Sequence, residues 1–225
     1  MTTKPTVAVL GGTGDLGTGL ARRWAKAGYT LLIGSRAADK AVAAAAELAA
    51  LATGTKPQGM SNLDAAKQAQ VVVLTVPFAN APALLDEIKD AVQGKLVIDT
   101  TVPLMPPRVA RVQLPPEGCA AMAAQKRLGD GVRVVSAFHN VAAHKLQIVD
   151  MALDCDVLVF GDKAEDREVA IAMAEAAGTR GLHAGPLANS AAAEALTSVI
   201  IGLNRTYKAD GASIRMTGIT LAPKA

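Results

Sequence analysis

The chain has 225 residues, 51% of them hydrophobic and 19% charged, with a mean hydropathy of +0.28. That composition supplies a core and excludes a disordered, collagen-like or low-complexity protein. Lys and Arg number 23 against 20 Asp and Glu, a formal charge of +3, and only 3% of residues are aromatic; without a basic run, this suits a small anionic ligand and argues against a nucleic-acid surface.

From the N-terminus, Met1–Thr6 has no apolar signal core and leads into a strand over Thr6–Leu10. A helix is expected over Asp15–Ala27, closed by Gly28, then a strand over Thr30–Ile33 and a helix over Asp39–Ala52 that ends near Gly54. The run Val71–Val76 reads as the next strand, Asn80 as the N-cap of a helix reaching Val92, and Lys95–Asp99 as another strand. Between Thr100 and Gly118 lie Pro103, Pro106, Pro107, Pro115 and Pro116, which excludes regular helix and leaves a loop able to fold over a cleft. A short helix to Leu128, strands over Arg133–Phe138 and Asp156–Phe160, a helix over Glu165–Ala177 and a long helix over Ser190–Tyr207 complete the pattern. This βαβ alternation predicts an α/β fold: a Rossmann-type doubly wound, mostly parallel sheet over residues 1–150, then a small C-terminal α/β extension over 151–225 that serves the substrate or a dimer contact.

Cys119 and Cys155 cannot form a disulfide framework, and no Cys-x-x-Cys is present. The longest apolar stretches, Ala41–Ala52 and Ala191–Leu203, are broken by Glu47, Glu194, Thr197, Ser198 and Gly202, so no membrane span is expected. A cytoplasmic protein with reduced thiols and neither membrane nor nucleic-acid partner follows.

Gly12-Thr13-Gly14-Asp15-Leu16-Gly17 fits G-x-G-x-x-G between a strand and a helix, where dinucleotide binding requires it. Gly12 allows the tight turn, Gly14 lets the main chain approach a pyrophosphate, and Gly17 lets helix and strand pack closely. The spacing through Gly11, Gly14 and Gly17 also suits short-chain dehydrogenases, whose Tyr-x-x-x-Lys is missing: Tyr29 is followed by Ile33 and Tyr207 by Gly211. The second strand ends Ile33-Gly34-Ser35-Arg36, with Lys40 one turn on. No acid stands there to bind a ribose 2′-hydroxyl; a hydroxyl and two cations suit the 2′-phosphate of NADP.

Ligands of open α/β sheets lie beyond the carboxyl ends of the strands, which selects Thr75-Val76-Pro77-Phe78, Thr100-Thr101-Val102-Pro103 and Ser136-Ala137-Phe138-His139-Asn140. Asn80, just past the first of these, joins Thr75, Val76, Pro77, Val102 and Ala137 among the expected cofactor residues. His139 ends an apolar strand at the cleft and is the residue expected to position the second ligand or donate a proton. His144, His183 and Cys155 do not complete a metal-ligand spacing with it, so no metal is expected.

Together with Ala184-Gly185-Pro186-Leu187-Ala188-Asn189-Ser190, these segments resemble the NADPH-dependent deazaflavin coenzyme F420 reductases in order and spacing over nearly the whole chain. The resemblance implies hydride transfer between C4 of the nicotinamide and C5 of the deazaflavin in a homodimer. It assigns Thr13, Gly14, Asp15 and Leu16 to the pyrophosphate, and Ser35, Arg36 and Lys40 to the 2′-phosphate. Thr75, Val76 and Pro77 would line the nicotinamide ribose, and Ala137 to Ala143, with His139, would lie by the deazaflavin. A more distant likeness to the soluble NADPH domain of six-transmembrane ferric reductases keeps a flavin or ferric reductase as an alternative, and a non-catalytic NADP(H) redox sensor is a third.

Overall fold

In the computed structural model, which describes residues 4–220, the alternation becomes a six-stranded, wholly parallel sheet. The first three residues of the N-terminal segment lie outside the described residues. In chain order come Thr6–Leu10 (β1), Asp15–Lys26 (α1), Thr30–Ser35 (β2), Ala38–Leu48 (α2), Gln58–Ser61 (β3), Asn62–Gln68 (α3) and Val71–Leu74 (β4). Ala81–Ile88 (α4), Leu96–Asp99 (β5), Ala120–Leu128 (α5) and Arg133–Ser136 (β6) follow. The strand order is β3-β2-β1-β4-β5-β6 with each pair parallel, the doubly wound order of a Rossmann fold. Helices cover both faces, so the central strands are buried on both sides and apolar throughout. Val7 and Val9 pack with Leu20 and Trp24 of α1, while Ala8 and Leu10 join the other core with Leu84, Leu85 and Ile88 of α4.

Beyond β6 come Ala143–Leu146 (α6), Asp156–Val159 (β7), Ala164–Ala176 (α7), Arg180–His183 (β8) and Ser190–Tyr207 (α8). β7 and β8 pair in parallel, and Phe160 bridges antiparallel to Ser136 through main-chain bonds of 2.8 and 2.9 Å. Val157, Val159, Ala170 and Met173 share the core of Trp24, whose Nε1 donates to the Met173 carbonyl at 2.8 Å. Asp156, fully buried, accepts from both Nε and Nη2 of Arg180 at 2.6 Å and from Met216 N–H at 2.6 Å. Burial alone would raise its pKa, but the Arg180 fork and the amide carry it below the usual carboxylate range.

Arg23 of α1 is only 4% exposed. It donates to the main-chain carbonyls of Leu146, Ala177, Lys145, Ile148 and Met151 at 2.6–3.2 Å. Carbonyls at the ends of α6 and α7 carry the negative end of a helix dipole, so a guanidinium suits them.

Four elements were not expected: β3, α3, β8 and the single turn α6. β3 lacks a β-branched run and lies half-exposed at the sheet edge; it shows itself through Gly59, where a Cβ would sit 2.2 Å from the Ala41 carbonyl of α2. α3 is capped by Ser61, whose Oγ accepts from Asp64 N–H at 3.1 Å, a local cap inside a stretch without apolar periodicity. β8 is four residues long with an arginine and a histidine at its ends. Asn80 occupies the N-cap position of α4 without making a side-chain cap; Pro82 stands in the first turn instead.

Candidate functional site

The strand order reverses between β1 and β4, and the chain leaves both strands there as loops. The N–H groups of Gly11 and Gly12 both donate to the Gly34 carbonyl at 3.1 Å, pinning the loop to β2. The left-handed turn falls on Gly11, with φ 76°, and not on Gly12 as the motif suggested. Gly12 is required for space, since a Cβ would stand 2.7 Å from the Val9 carbonyl. At Gly17 a Cβ would meet Thr75 Oγ1 at 2.7 Å and Gly12 Cα at 2.8 Å, so α1 closes against the loop and the end of β4. Gly14 is the N-cap of α1 and offers no side-chain acceptor to the first-turn amides; a Cβ there would approach only Gly11 O, at 3.5 Å. Free amides, the positive end of a helix dipole and an open approach make a cradle for a phosphate.

A cleft of about 710 Å³ opens in front of this loop. Thr13 and Gly14 line it from the loop, Ser35 and Arg36 from the end of β2, Lys40 from the first turn of α2, and Thr75, Val76, Pro77 and Asn80 from the segment after β4. Arg36 and Lys40 are exposed, and Glu87 of α4 is the one carboxylate in the lining. This donor set fits NADP: amides at the pyrophosphate, a hydroxyl and two cations at the 2′-phosphate, and no acid at the end of β2. Asn62, at the start of α3, was not expected. It is buried, lines the same cleft and accepts from Gly11 N–H through Oδ1 at 3.4 Å; the Ser-x-x-Asp cap around it was the available signal.

Other expected residues lie behind or beside the cleft wall. Gly12 and Gly17 are buried under the loop, Leu16 is half-buried against the Trp24 core, and Asp15 is exposed at the start of α1. Val102 is half-buried in the loop after β5, and Ala137 is fully buried with its N–H on the Asp99 carbonyl at 3.1 Å. Thr75 and Thr100 serve the frame: each Oγ1 donates to the last carbonyl of a neighbouring strand, Leu10 at 2.8 Å and Leu74 at 2.7 Å.

His139 sits deeper, 6% exposed. Phe138 turns the chain toward it in the left-handed region, φ 69°, and its ring meets Trp24 edge-on at 5.9 Å. For a non-glycine residue this conformation costs on the order of 1 kcal/mol, here offset by burial of the ring. His139 Nε2 is 2.7 Å from Ser136 Oγ, Ser136 Oγ is 2.6 Å from Ser190 Oγ, and Ser190 Oγ donates to Glu194 Oε1 at 2.8 Å. Glu194 also accepts from the N–H groups of Ala120 and Ala121 at 2.6 and 3.2 Å, while Thr197 Oγ1 donates to the His139 carbonyl at 3.0 Å. Burial dominates the titration of this region. It pushes His139 down to about 4, Glu194 up to about 7 and Asp99, whose Oδ1 accepts from Thr101 N–H, up to about 6.

The other histidines lie apart: His144 pairs with Asp210 and His183 with Glu168, each at 2.8 Å. Among the described residues no three His, Cys, Asp or Glu side chains are grouped to hold a metal ion.

Residues 6–103 match the family model described as NADP oxidoreductase, coenzyme F420-dependent. The F420-dependent NADP reductase of Methanothermobacter marburgensis is 40% identical over 95% of this chain and 98% of its own. That of Methanocaldococcus jannaschii is 38% identical over 96% and 99%. A solved structure from Arthrobacter sp. FB24, designated there a candidate F420-dependent NADP reductase, superposes with a TM-score of 0.77 at 23% identity, covering 94% of this chain and 98% of that one.

Proposed function

Because the chain belongs to the coenzyme F420-dependent NADP oxidoreductase family, we propose that its cleft holds NADP(H) along β1, β2 and β4, with the deazaflavin stacked on the nicotinamide beyond β5 and β6. The protein is an NADP-dependent oxidoreductase with NADP(H) and coenzyme F420 as its substrates. When both are bound, the nicotinamide C4 and deazaflavin C5 exchange a hydride directly, which requires positioning and exclusion of water more than an acid–base pair. The observation that carries this reading is the donor set of the cleft, with uncapped α1 amides at one end and Ser35, Arg36 and Lys40 at the other.

The first-turn amides of α1, with Thr13 and Gly14, hold the pyrophosphate. Arg36 grips the 2′-phosphate as a fork, and Lys40 adds a point charge. Thr75, whose own proton is committed to Leu10 O, offers lone pairs to the nicotinamide ribose beside Val76 and Pro77. Ala137 to Ala143 form the wall on the deazaflavin side. Residues 151–225 serve that side and the dimer contact: α8 brings Ser190, Glu194 and Thr197 to the His139 segment, and Val199, Leu203 and Tyr207 form an exposed stripe on it, four residues apart and suited to a second copy. Two buried free thiols suit the reducing cytoplasm. No helix among the described residues is long and apolar enough to cross a membrane. Relatives matching end to end place the deazaflavin above flavin, iron or a purely sensory role.

The test mixes the protein with NADPH and oxidised deazaflavin and follows the deazaflavin visible absorbance beside NADH and flavin mononucleotide controls. Bleaching that depends on NADPH is expected; bleaching with flavin mononucleotide alone would overturn the reading.

A further inference from the structure

The hydrogen-bonded row His139, Ser136, Ser190, Glu194 joins three elements, β6, the turn after it and α8, and no member is more than 6% exposed. Its hydrogens have little freedom. Ser190 spends its O–H on Glu194, so the hydrogen between the serines belongs to Ser136, and the one between Ser136 and the imidazole belongs to His139 Nε2. An ionised Glu194 therefore makes His139 the Nε2–H tautomer and leaves Nδ1 a bare acceptor. A protonated Glu194 donates to Ser190 instead, every hydrogen in the row reverses, and Nδ1 carries the proton. Nδ1 is buried without a partner, although nearly all buried polar atoms have one.

We propose that Glu194 is a positioning residue that, through Ser190 and Ser136, decides which ring nitrogen of His139 carries its proton.

The imidazole is neutral in both arrangements, which differ by the one proton that Glu194 gains or loses. The titratable groups facing Glu194 are Asp99 at the end of β5 and the Cys119 thiol ahead of α5, the first raising Glu194 further and the second itself pushed up to about 11, chiefly by burial. Because Glu194 titrates near 7 and His139 stays neutral to about 4, the reversal falls at neutral pH and appears as a change of tautomer rather than of imidazole charge.

The test needs no bound cofactor: ring nitrogen NMR of histidine-labelled protein from pH 5.5 to 9, with His144→Gln and His183→Gln identifying the His139 signals. Expected is a neutral His139 that passes from Nδ1–H to Nε2–H with a midpoint near 7. Glu194→Gln, with its oxygen on Ala120 N–H and its amide toward Ser190, should hold Nδ1–H at every pH. Ser190→Ala, which keeps the carboxylate and cuts the row, should abolish the transition and decides the matter if the glutamine variant does not fold. A His139 tautomer that ignores pH in the wild type, or that still shifts in either variant, overturns the proposal.

Discussion

The two ends of the site are built on opposite principles. The phosphate end consists of main-chain amides and two exposed cations, Arg36 and Lys40, each placed by residues within a few positions of it. The far end consists of buried, neutral or proton-sharing side chains, and the hydrogen bond between Ser136 and Ser190 spans 54 positions. The difference teaches how each ligand is handled. A phosphate carries permanent charge and can be recognised in water by fixed dipoles and cations. At the far end burial instead brings the carboxyls of Glu194 and Asp99 near neutrality, so that their proton count can change, while it keeps His139 uncharged.

The sharpest way to break this contrast is at the wall both ends share. Gly17→Ala would drive a Cβ into Thr75 Oγ1 and Gly12, so the loop and the end of β4 must part. We expect a loss of roughly 3 kcal/mol in denaturant-measured stability together with loss of nucleotide binding. Gly14→Ala separates the two effects: with only Gly11 O near its Cβ, stability should stay within about 0.5 kcal/mol while NADPH binding, read by calorimetry, collapses. Arg36→Ala should weaken NADPH by about 1.5–3 kcal/mol and NADH hardly at all; equal losses would remove the 2′-phosphate from its neighbourhood. Lys40→Ala should cost about 0.5–1 kcal/mol and matter less as salt is raised.

At the buried end the contrast can be sharpened by pH. Glu194 has its folded pKa raised from 4.5 to about 7, so between these values the unfolded chain releases a proton that the folded chain keeps. Its contribution to stability is whole below 4.5 and fades as pH rises through 7. His139, lowered to about 4, acts the other way, costing stability as pH falls below 6.5. Asp156, held below the usual carboxylate range, likewise loses its contribution as pH falls through its depressed value. Chemical denaturation from pH 5 to 8 should therefore show Glu194→Gln gaining on the wild type as pH rises, by on the order of 2–3 kcal/mol across the window. An unchanged difference would mean that Glu194 is ionised throughout.

The phosphate end was legible in the sequence because its signals are local. A glycine pattern after an apolar strand, or a basic pair where an acid would otherwise stand, needs no knowledge of distant residues. Even there, the left-handed turn belongs to Gly11 rather than Gly12, since the motif fixes spacing and leaves the φ of each glycine to the packing of Val9 and Val76. The doubly wound order followed from the alternation of elements, but β3 and β8 did not, being short strands with little apolar pattern whose place is set by α2 and β7. At the buried end Ser136, His139 and Ser190 lay in segments that carried a sequence signal, but their connection did not show. Glu194 read as an interruption of an apolar run, and nothing nearby announces that its carboxylate reaches the first amides of α5, 73 and 74 positions earlier. Asn80 illustrates the converse: a good capping residue that makes no cap and lines the cleft.

Arg23 gives the molecule a fastening of a different nature from its chemistry. A guanidinium held by five peptide carbonyls has no partner that can take up a proton, and screening by salt scarcely reaches it in the interior. A change of pH that empties or fills the row behind His139 thus leaves the seam between α1 and the segments after β6 untouched. The row can change its proton content while the elements that frame the site keep their spacing.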